Sequence, residues 1–293
     1  MSQITLLSPA KLNLFLHINF RRPDGYHELQ TLFQLLDYGD LLTFNLTDSS
    51  DISITPEVKG VSLEDNLIYK AATKLREQAE ADGKTFSKPG IEIFIGKKLP
   101  MGGGLGGGSS NAATTLIALN HLWKLNYSLD QLATTGLQLG ADVPVFVHGN
   151  SAYAEGVGEH LTPVELPEIW YLVLHPGVHV STANVFSHKQ LTRDTPKSKI
   201  APALEGDLRN IANYCDLMSN DCQSIVCQLY PEIRQAIDWL SQFSPAKLTG
   251  TGACIFASFS DKQRADNVLS QLPTNYQGFV AKGINKSPAF ERL

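Results

Sequence analysis

Leu99-Pro100-Met101-Gly102-Gly103-Gly104-Leu105-Gly106-Gly107-Gly108-Ser109-Ser110-Asn111-Ala112-Ala113 is a glycine-rich loop set between an apolar strand pattern, Ile91 to Ile95, and a run of good helix formers, Ala112 to Leu125. A flexible linker would not sit between a strand and a strong helix. Glycines let backbone N–H groups approach an anion unobstructed, and a helix beginning near Ser109 adds its positive end, so strand, loop and helix together predict a phosphate cradle. Gly102-x-Gly104-x-x-Gly107 matches the dinucleotide fingerprint in letters, yet a second capped helix follows instead of a parallel strand ending in an acidic residue. Gly103-x-x-x-x-Gly108-Ser109-Ser110 has Walker A spacing, but Ser109 stands where the phosphate-binding lysine belongs.

Upstream, Lys11 to Asn19 alternates strictly, with Leu12, Leu14, Leu16 and Ile18 on one face and Lys11, Asn13, Phe15, His17 and Asn19 on the other. That pattern predicts a half-buried strand whose polar face could share one cleft or meet solvent. Pro23-Asp24-Gly25 predicts a turn into a second strand running to about Phe44. Leu67, Ala71, Leu75 and Ala79 mark an amphipathic helix, opened by Ser62 and Asp65 and closed by Gly83. Downstream, Ser128 and Gln131 form a capping box for a helix that Gly140 ends. Asp142 before Val143-Pro144 has the form of a helix N-cap. Ser151 to Ala154 is strand-like, and Pro163 and Pro167 place a domain boundary that divides 1–163 from 164–293. The second half reads as a strand at Trp170 to Leu174, a polar loop around Thr192 to Lys199, two helical stretches and a final strand, Cys254 to Phe259.

A chain of 293 residues, 43% hydrophobic and 18% charged, buries a sizeable core in two domains. Its net charge of -5 excludes a general nucleic-acid binder, which needs a basic stripe. Met1 to Ser8 does not read as a signal peptide, and no apolar run approaches the roughly 20 residues of a membrane span, so a cytoplasmic protein with no membrane partner is expected. Cys215, Cys222, Cys227 and Cys254 lack C-x-x-C spacing, Cys215 and Cys222 fall on one helix face, and buried free thiols are the expectation.

The glycine loop resembles the phosphate loop of the GHMP kinases. The resemblance extends to Pro9-Ala10-Lys11-Leu12-Asn13, Arg22-Pro23-Asp24-Gly25-Tyr26-His27-Glu28, Gly140-Ala141-Asp142-Val143-Pro144 and Gly250-Thr251-Gly252-Ala253-Cys254, so that it covers essentially the whole chain in order. Tyr26-His27 and Val180-Ser181-Thr182 leading to Phe186 resemble the diphosphocytidyl-methylerythritol kinase branch rather than the homoserine or mevalonate branches. Many relatives carry alanine where this chain has Gly103 and aspartate where it has Asn111, so no acidic role transfers to position 111.

The resemblance implies a two-domain α+β fold, with an ATP-binding N-terminal domain like domain 2 of ribosomal protein S5 and a ferredoxin-like C-terminal domain. It implies that ATP, with Mg²⁺ shielding the phosphates, phosphorylates the 2-hydroxyl of a cytidyl-diphosphate methylerythritol in non-mevalonate isoprenoid synthesis. Lys11 would stabilise charge at the attacked phosphate, and Asp142 would accept or orient the hydroxyl proton. Asn66 and Lys97 would line the adenine site, and Pro100, Met101, Gly102, Gly103, Gly104, Leu105, Gly106, Gly107, Gly108, Ser109 and Ser110 would hold the phosphates. Asn13 and Thr182 would contact the acceptor, Tyr26 and Phe186 would stack on the cytosine faces, and His27 would read its edge. Gly250-Thr251-Gly252 would close the cleft from the second domain. The metal ligands stay unassigned, and a monomer and a homodimer are both compatible. Another GHMP kinase, or a silent ligand-binding member of the fold, is the alternative reading.

Overall fold

The computed structural model describes residues 3–197 and 219–292. Cys215 and the end of the polar loop, Ser198 and Lys199, lie outside the described residues, as does the pairing of Cys215 with Cys222 on one helix face. Two long strands open the chain, β1 (Gln3–Arg21) and β2 (His27–Thr47), joined through Pro23-Asp24-Gly25. Gly25 sits at φ +91° and its N–H bonds the Arg22 carbonyl at 3.0 Å, the left-handed corner that the sequence assigns to glycine. Short β3 (Ile52–Thr55) precedes α1 (Leu67–Ala81) and β4 (Gly90–Gly96). The cap of α1 is Asn66, whose side chain accepts from the Ile68 N–H. Ser62 instead pairs with Asp65 one turn earlier.

α2 (Gly107–Leu122) begins two residues before the expected start near Ser109, inside the glycine stretch itself. α3 (Leu129–Leu137) has the expected Ser128–Gln131 capping box. α4 (Val143–His148), β5 (Ala152–Gly156) and β6 (His160–Pro163) complete the first half. The second half holds β7 (Trp170–His175), α5 (Thr182–Ser187), α6 (Gln223–Leu229), α7 (Pro231–Leu240), β8 (Ala246–Leu248), β9 (Ile255–Phe259), α8 (Lys262–Leu269) and β10 (Gln277–Ile284). The last strand is therefore β10, not the Cys254–Phe259 segment. Its half-exposed, glycine-interrupted stretch lacks the alternation that reveals a strand.

The sheet runs β3-β4-β2-β10-β7-β9-β8, with β1 and β5 also paired to β2. One apolar cluster packs α1 to α4 on the first-half strands, a second gathers α5 to α7 on β7 to β9, and a third around Leu12, Phe15 and Phe256 lies where the halves meet. β1 runs through all three. Its expected polar face is consequently not half-exposed: Lys11, Asn13 and His17 are each buried to 4% exposure or less. Cys222, Cys227 and Cys254 are buried and free, as expected. Among the described residues no helix is long and apolar enough to cross a membrane.

Only Gly283↔Leu36 and Ile284↔Leu35 pair β10 to β2, so this joint depends on side chains. The Ser151 hydroxyl accepts from the Leu35 N–H at 3.0 Å and donates to the Ile284 carbonyl at 2.9 Å, while Gln34 donates to the same carbonyl at 2.8 Å. Ser151→Ala should cost about 1–3 kcal/mol of stability, the usual effect of stripping buried polar groups of a partner, read as a fall in the urea midpoint at constant slope.

Candidate active site

The phosphate loop is fastened from both halves. Leu105 offers its carbonyl to the Lys11 N–H at 3.0 Å, and Gly102 and Gly103 take the Ala253 and Cys254 N–H groups at 3.2 and 3.0 Å. Gly104 turns at φ +74° with a would-be Cβ 2.3 Å from the Thr249 carbonyl, so no side chain fits there. Gly106 is the N-cap of α2 at φ +72° and offers no side chain, which leaves the first helical N–H groups without a partner from the cap. They open onto a cavity of about 350 Å³ lined by every residue from Pro100 to Ser109, together with Asn66, Lys97 and Asn111.

Ser110 does not belong to that lining. Its hydroxyl is fully buried and bonded by Ser8 at 2.8 Å, because α2 begins early enough to turn this position inward. Asn66 lines the cavity but uses its amide oxygen to cap α1. Lys97 lies along the loop, its ammonium 3.6 Å from a would-be Cβ on Gly107. That ammonium bonds the Leu99 carbonyl at 2.8 Å and the carboxylate of Asp40 at 2.7 Å. Asp40 escaped the sequence reading. It interrupts the apolar strand Thr31 to Leu46, and a charge inside such a strand requires partners, which was the available signal.

Lys11 sits on the other side of the loop, with its terminal carbon 3.2 Å from a would-be Cβ on Gly106. Its ammonium pairs with Asp142 at 3.3 Å, bonds Asn13 Oδ1, and stands 5.1 Å above the Phe33 ring. Asp142 occupies the N-cap position of α4, yet its side chain makes no cap bond, because its backbone is already helical. The capping role expected from Asp-Val-Pro is thereby absent, and the carboxylate, 34% exposed, is turned to Lys11. Asn13 is enclosed: its oxygen serves Lys11, its amide donates to Thr31 at 2.8 Å, and its backbone N–H to Thr249 at 2.9 Å. It orients Lys11 within the fold.

A second group of residues gathers at the far end of β1. His27 is buried, its ring 5.0 Å from that of Phe186. Tyr26, by contrast, is 63% exposed. Thr182 bonds Thr251 through their hydroxyls at 2.9 Å, which ties α5 to the Gly250-Thr251-Gly252 turn. Arg193, unnoticed in the sequence because it lies in a polar loop, donates to His27 Nε2 at 3.0 Å and to the Phe186 and His188 carbonyls at 2.7 and 2.9 Å. Nε2 must therefore be the unprotonated nitrogen, which leaves Nδ1–H as the donor of a neutral ring.

The sequence matches the GHMP kinase N-terminal domain family over residues 66–150 and the GHMP kinase C-terminal family over residues 200–278. The chain belongs to the GHMP kinase family. It is 64% identical, over 99% of this chain and 96% of the relative, to a protein of Hahella chejuensis named 4-diphosphocytidyl-2-C-methyl-D-erythritol kinase. It is 56% identical, over 100% and 98%, to one of Marinobacter nauticus with the same name. A crystal structure of 4-(cytidine 5'-diphospho)-2C-methyl-D-erythritol kinase superposes with TM-score 0.79 at 30% identity, covering 96% of this chain and 100% of that one. Homoserine kinase from Cytophaga hutchinsonii, at 17% identity and TM-score 0.71 over 99% and 96%, shares the fold. The two-domain α+β GHMP kinase fold expected from the sequence is the fold observed.

Two consequences are measurable. A Cβ on Gly103 would stand 2.8 Å from Cys254 Sγ and 3.1 Å from Pro100, so Gly103→Ala should lose about 1–3 kcal/mol by overpacking, and Cys254→Ala in the same chain should return part of it in a thermal melting cycle. His27 has its pKa lowered, first by burial and then by Arg193 and Arg21. A base depressed in this way gives stability that is whole above the ordinary value of about 6.5 and is lost as pH falls below it. Arg193→Met removes one neighbouring cation, so the NMR titration midpoint of His27 should move up.

Proposed function

We propose that this protein transfers the γ-phosphoryl group of ATP to the 2-hydroxyl of 4-diphosphocytidyl-2-C-methyl-D-erythritol, giving the 2-phosphate and ADP in the non-mevalonate isoprenoid pathway. The observation that carries the transfer step is the Lys11–Asp142 pair at 3.3 Å beside the uncapped start of α2. Backbone N–H groups of α2 receive the phosphates, where the helix dipole favours negative charge. The Asp142 carboxylate, not engaged in capping, takes the hydrogen bond of the acceptor hydroxyl and holds its oxygen toward the γ-phosphorus. As that O–P bond forms and the bond to ADP breaks, Lys11 faces the charge on the transferring group and the proton passes to Asp142. A loose transition state asks more of positioning and charge than of base strength, which suits a solvated aspartate.

Full-length relatives bearing one name support this acceptor, and so does the donor left at His27. Cytosine presents an unprotonated N3 where uracil presents N3–H, so an Nδ1–H at that edge accepts the first and rejects the second. Phe186 supplies one stacking face beside it, and exposed Tyr26 is the residue we place on the other. Thr182 stands at the acceptor through its link to Thr251.

We place Mg²⁺ with the phosphates. Among the described residues no group of three or more His, Cys, Asp or Glu side chains could hold a metal, which fits an ion that arrives with the nucleotide and keeps most of its positions on phosphate and water. The Ser109 hydroxyl, which lines the cavity, is the oxygen donor the chain would add, and the ion would shield phosphate charge. ATP is a cytoplasmic donor, so the cytoplasm is where we place the reaction. The division into domains 1–163 and 164–293 is our assignment, drawn at Pro163, which ends β6, and Pro167 beyond it.

Side-by-side turnover of the cytidyl substrate, homoserine and mevalonate with ATP tests the acceptor, and preference for either of the last two would overturn it. Asp142→Asn should keep both ligands bound, with kcat reduced by about 10²-fold, within the usual range for removing a group that takes a proton. Near-wild-type turnover would reduce Asp142 to a structural residue.

A further inference from the structure

A helix that offers its positive end to phosphate repels any ammonium parked against it. Lys97 is parked there, beside Gly107, with 28% of its side chain exposed. Something must hold it. Asp40 is 0% exposed and spends both oxygens locally: Oδ1 accepts the Lys98 and Leu99 N–H groups at 2.7 and 2.8 Å, and Oδ2 accepts the Lys97 ammonium at 2.7 Å and the Asn111 amide at 2.9 Å. One carboxylate thus binds three consecutive residues at the entry of the phosphate loop to the first turn of α2. Its place is prepared by Gly39, where a Cβ would stand 1.9 Å from the Ser8 carbonyl, so that β2 lies close enough to β1 to bring Asp40 beneath the loop.

We propose that Asp40 is a positioning residue for nucleotide binding. It fixes Lys97 against the repulsion of α2, with two of its three N–H groups committed to Asp40 and Leu99, so that the remaining donor is presented to ATP in the cavity. The proposal rests on the reading of that cavity as the nucleotide site. A buried carboxylate that only stabilised the strand would need the backbone donors alone. Here half of its bonds go to the two cavity-lining side chains, Lys97 and Asn111.

The test is ATP affinity by calorimetry, with acceptor affinity and melting temperature beside it, in Lys97→Met, Asp40→Asn, the two combined, and the exchange Asp40→Asn with Asn111→Asp. Lys97→Met and Asp40→Asn should each weaken ATP binding about tenfold and leave acceptor affinity unchanged, and the combined variant should be no weaker than the worse single one, since both changes remove one interaction. The exchanged pair returns a carboxylate to the neighbourhood of Lys97 from position 111, with the amide now at position 40, and should bind ATP within about threefold of wild type, the spread expected when local charge is restored at a shifted position. Wild-type affinity in Lys97→Met refutes the placement of Lys97 in the nucleotide site. Weakened Lys97→Met with unchanged Asp40→Asn, or full additivity in the combined variant, refutes only the role of Asp40. If Asp40→Asn does not fold, the exchanged pair decides. If neither folds, or the exchanged pair folds and binds ATP as poorly as Lys97→Met, Asp40 serves the fold and not the lysine.

Discussion

A helix that begins on glycine has no cap side chain to receive its first N–H groups, and α2 is held at that end from three directions. β1 reaches it through the Lys11 N–H on the Leu105 carbonyl, the Ala253-Cys254 segment through Gly102 and Gly103, and β2 through Asp40 on Lys98, Leu99 and Asn111. Bare helical N–H groups are costly unless solvent or an anion meets them, so a fold that fixes such an end without capping it keeps a phosphate site ready. Gly104 and Gly106 make the fixation possible, because both adopt left-handed angles that other residues resist.

The second half of the chain therefore anchors the loop of the proposed nucleotide site, although it does not line the cavity. The Cys254 N–H holds the loop, Thr249 receives the Asn13 N–H, and Asn220 clamps the intervening turn through the Leu248 and Gly250 carbonyls at 3.0 and 2.8 Å. Asn13 in turn orients Lys11. A cut between the two halves would separate the first from the donors that shape its loop, and would also divide the apolar clusters, each of which draws residues from both.

This interdependence marks where the sequence was legible. The glycine loop, the capping box at Ser128 and the turn at Gly25 depend on residues close in sequence, and each stands where the local pattern puts it. The start of α2 was legible to within two residues, near Ser109, and its extension back to Gly107 was not, because glycine opposes helix locally and the loop's distant anchors overcome that preference. The alternation of Lys11 to Asn19 identified a strand but not its burial, since β1 is met by residues as distant in the chain as Thr249, which bonds Asn13 from 236 positions away. Asp40 reaches Lys97 and Asn111, and Arg193 reaches His27, across long stretches of chain, so that a charge in β2 or in a polar loop signals that partners are needed but not which residues supply them.

The same pairing arithmetic sorts the two lysines that flank the loop. The chain carries a net charge of -5, and Lys11 and Lys97 are both brought to one helix end, each balanced by a single carboxylate. The partner of Lys97 is sealed, with its four hydrogen bonds all internal, so that pair cannot be opened by a ligand without leaving a buried charge alone. The partner of Lys11 is one-third exposed and makes no cap bond. A hydroxyl entering the cleft can therefore share Asp142 with Lys11 at little cost, whereas it has no access to Asp40. Burial alone thus separates a carboxylate that a substrate could reach from one that it could not.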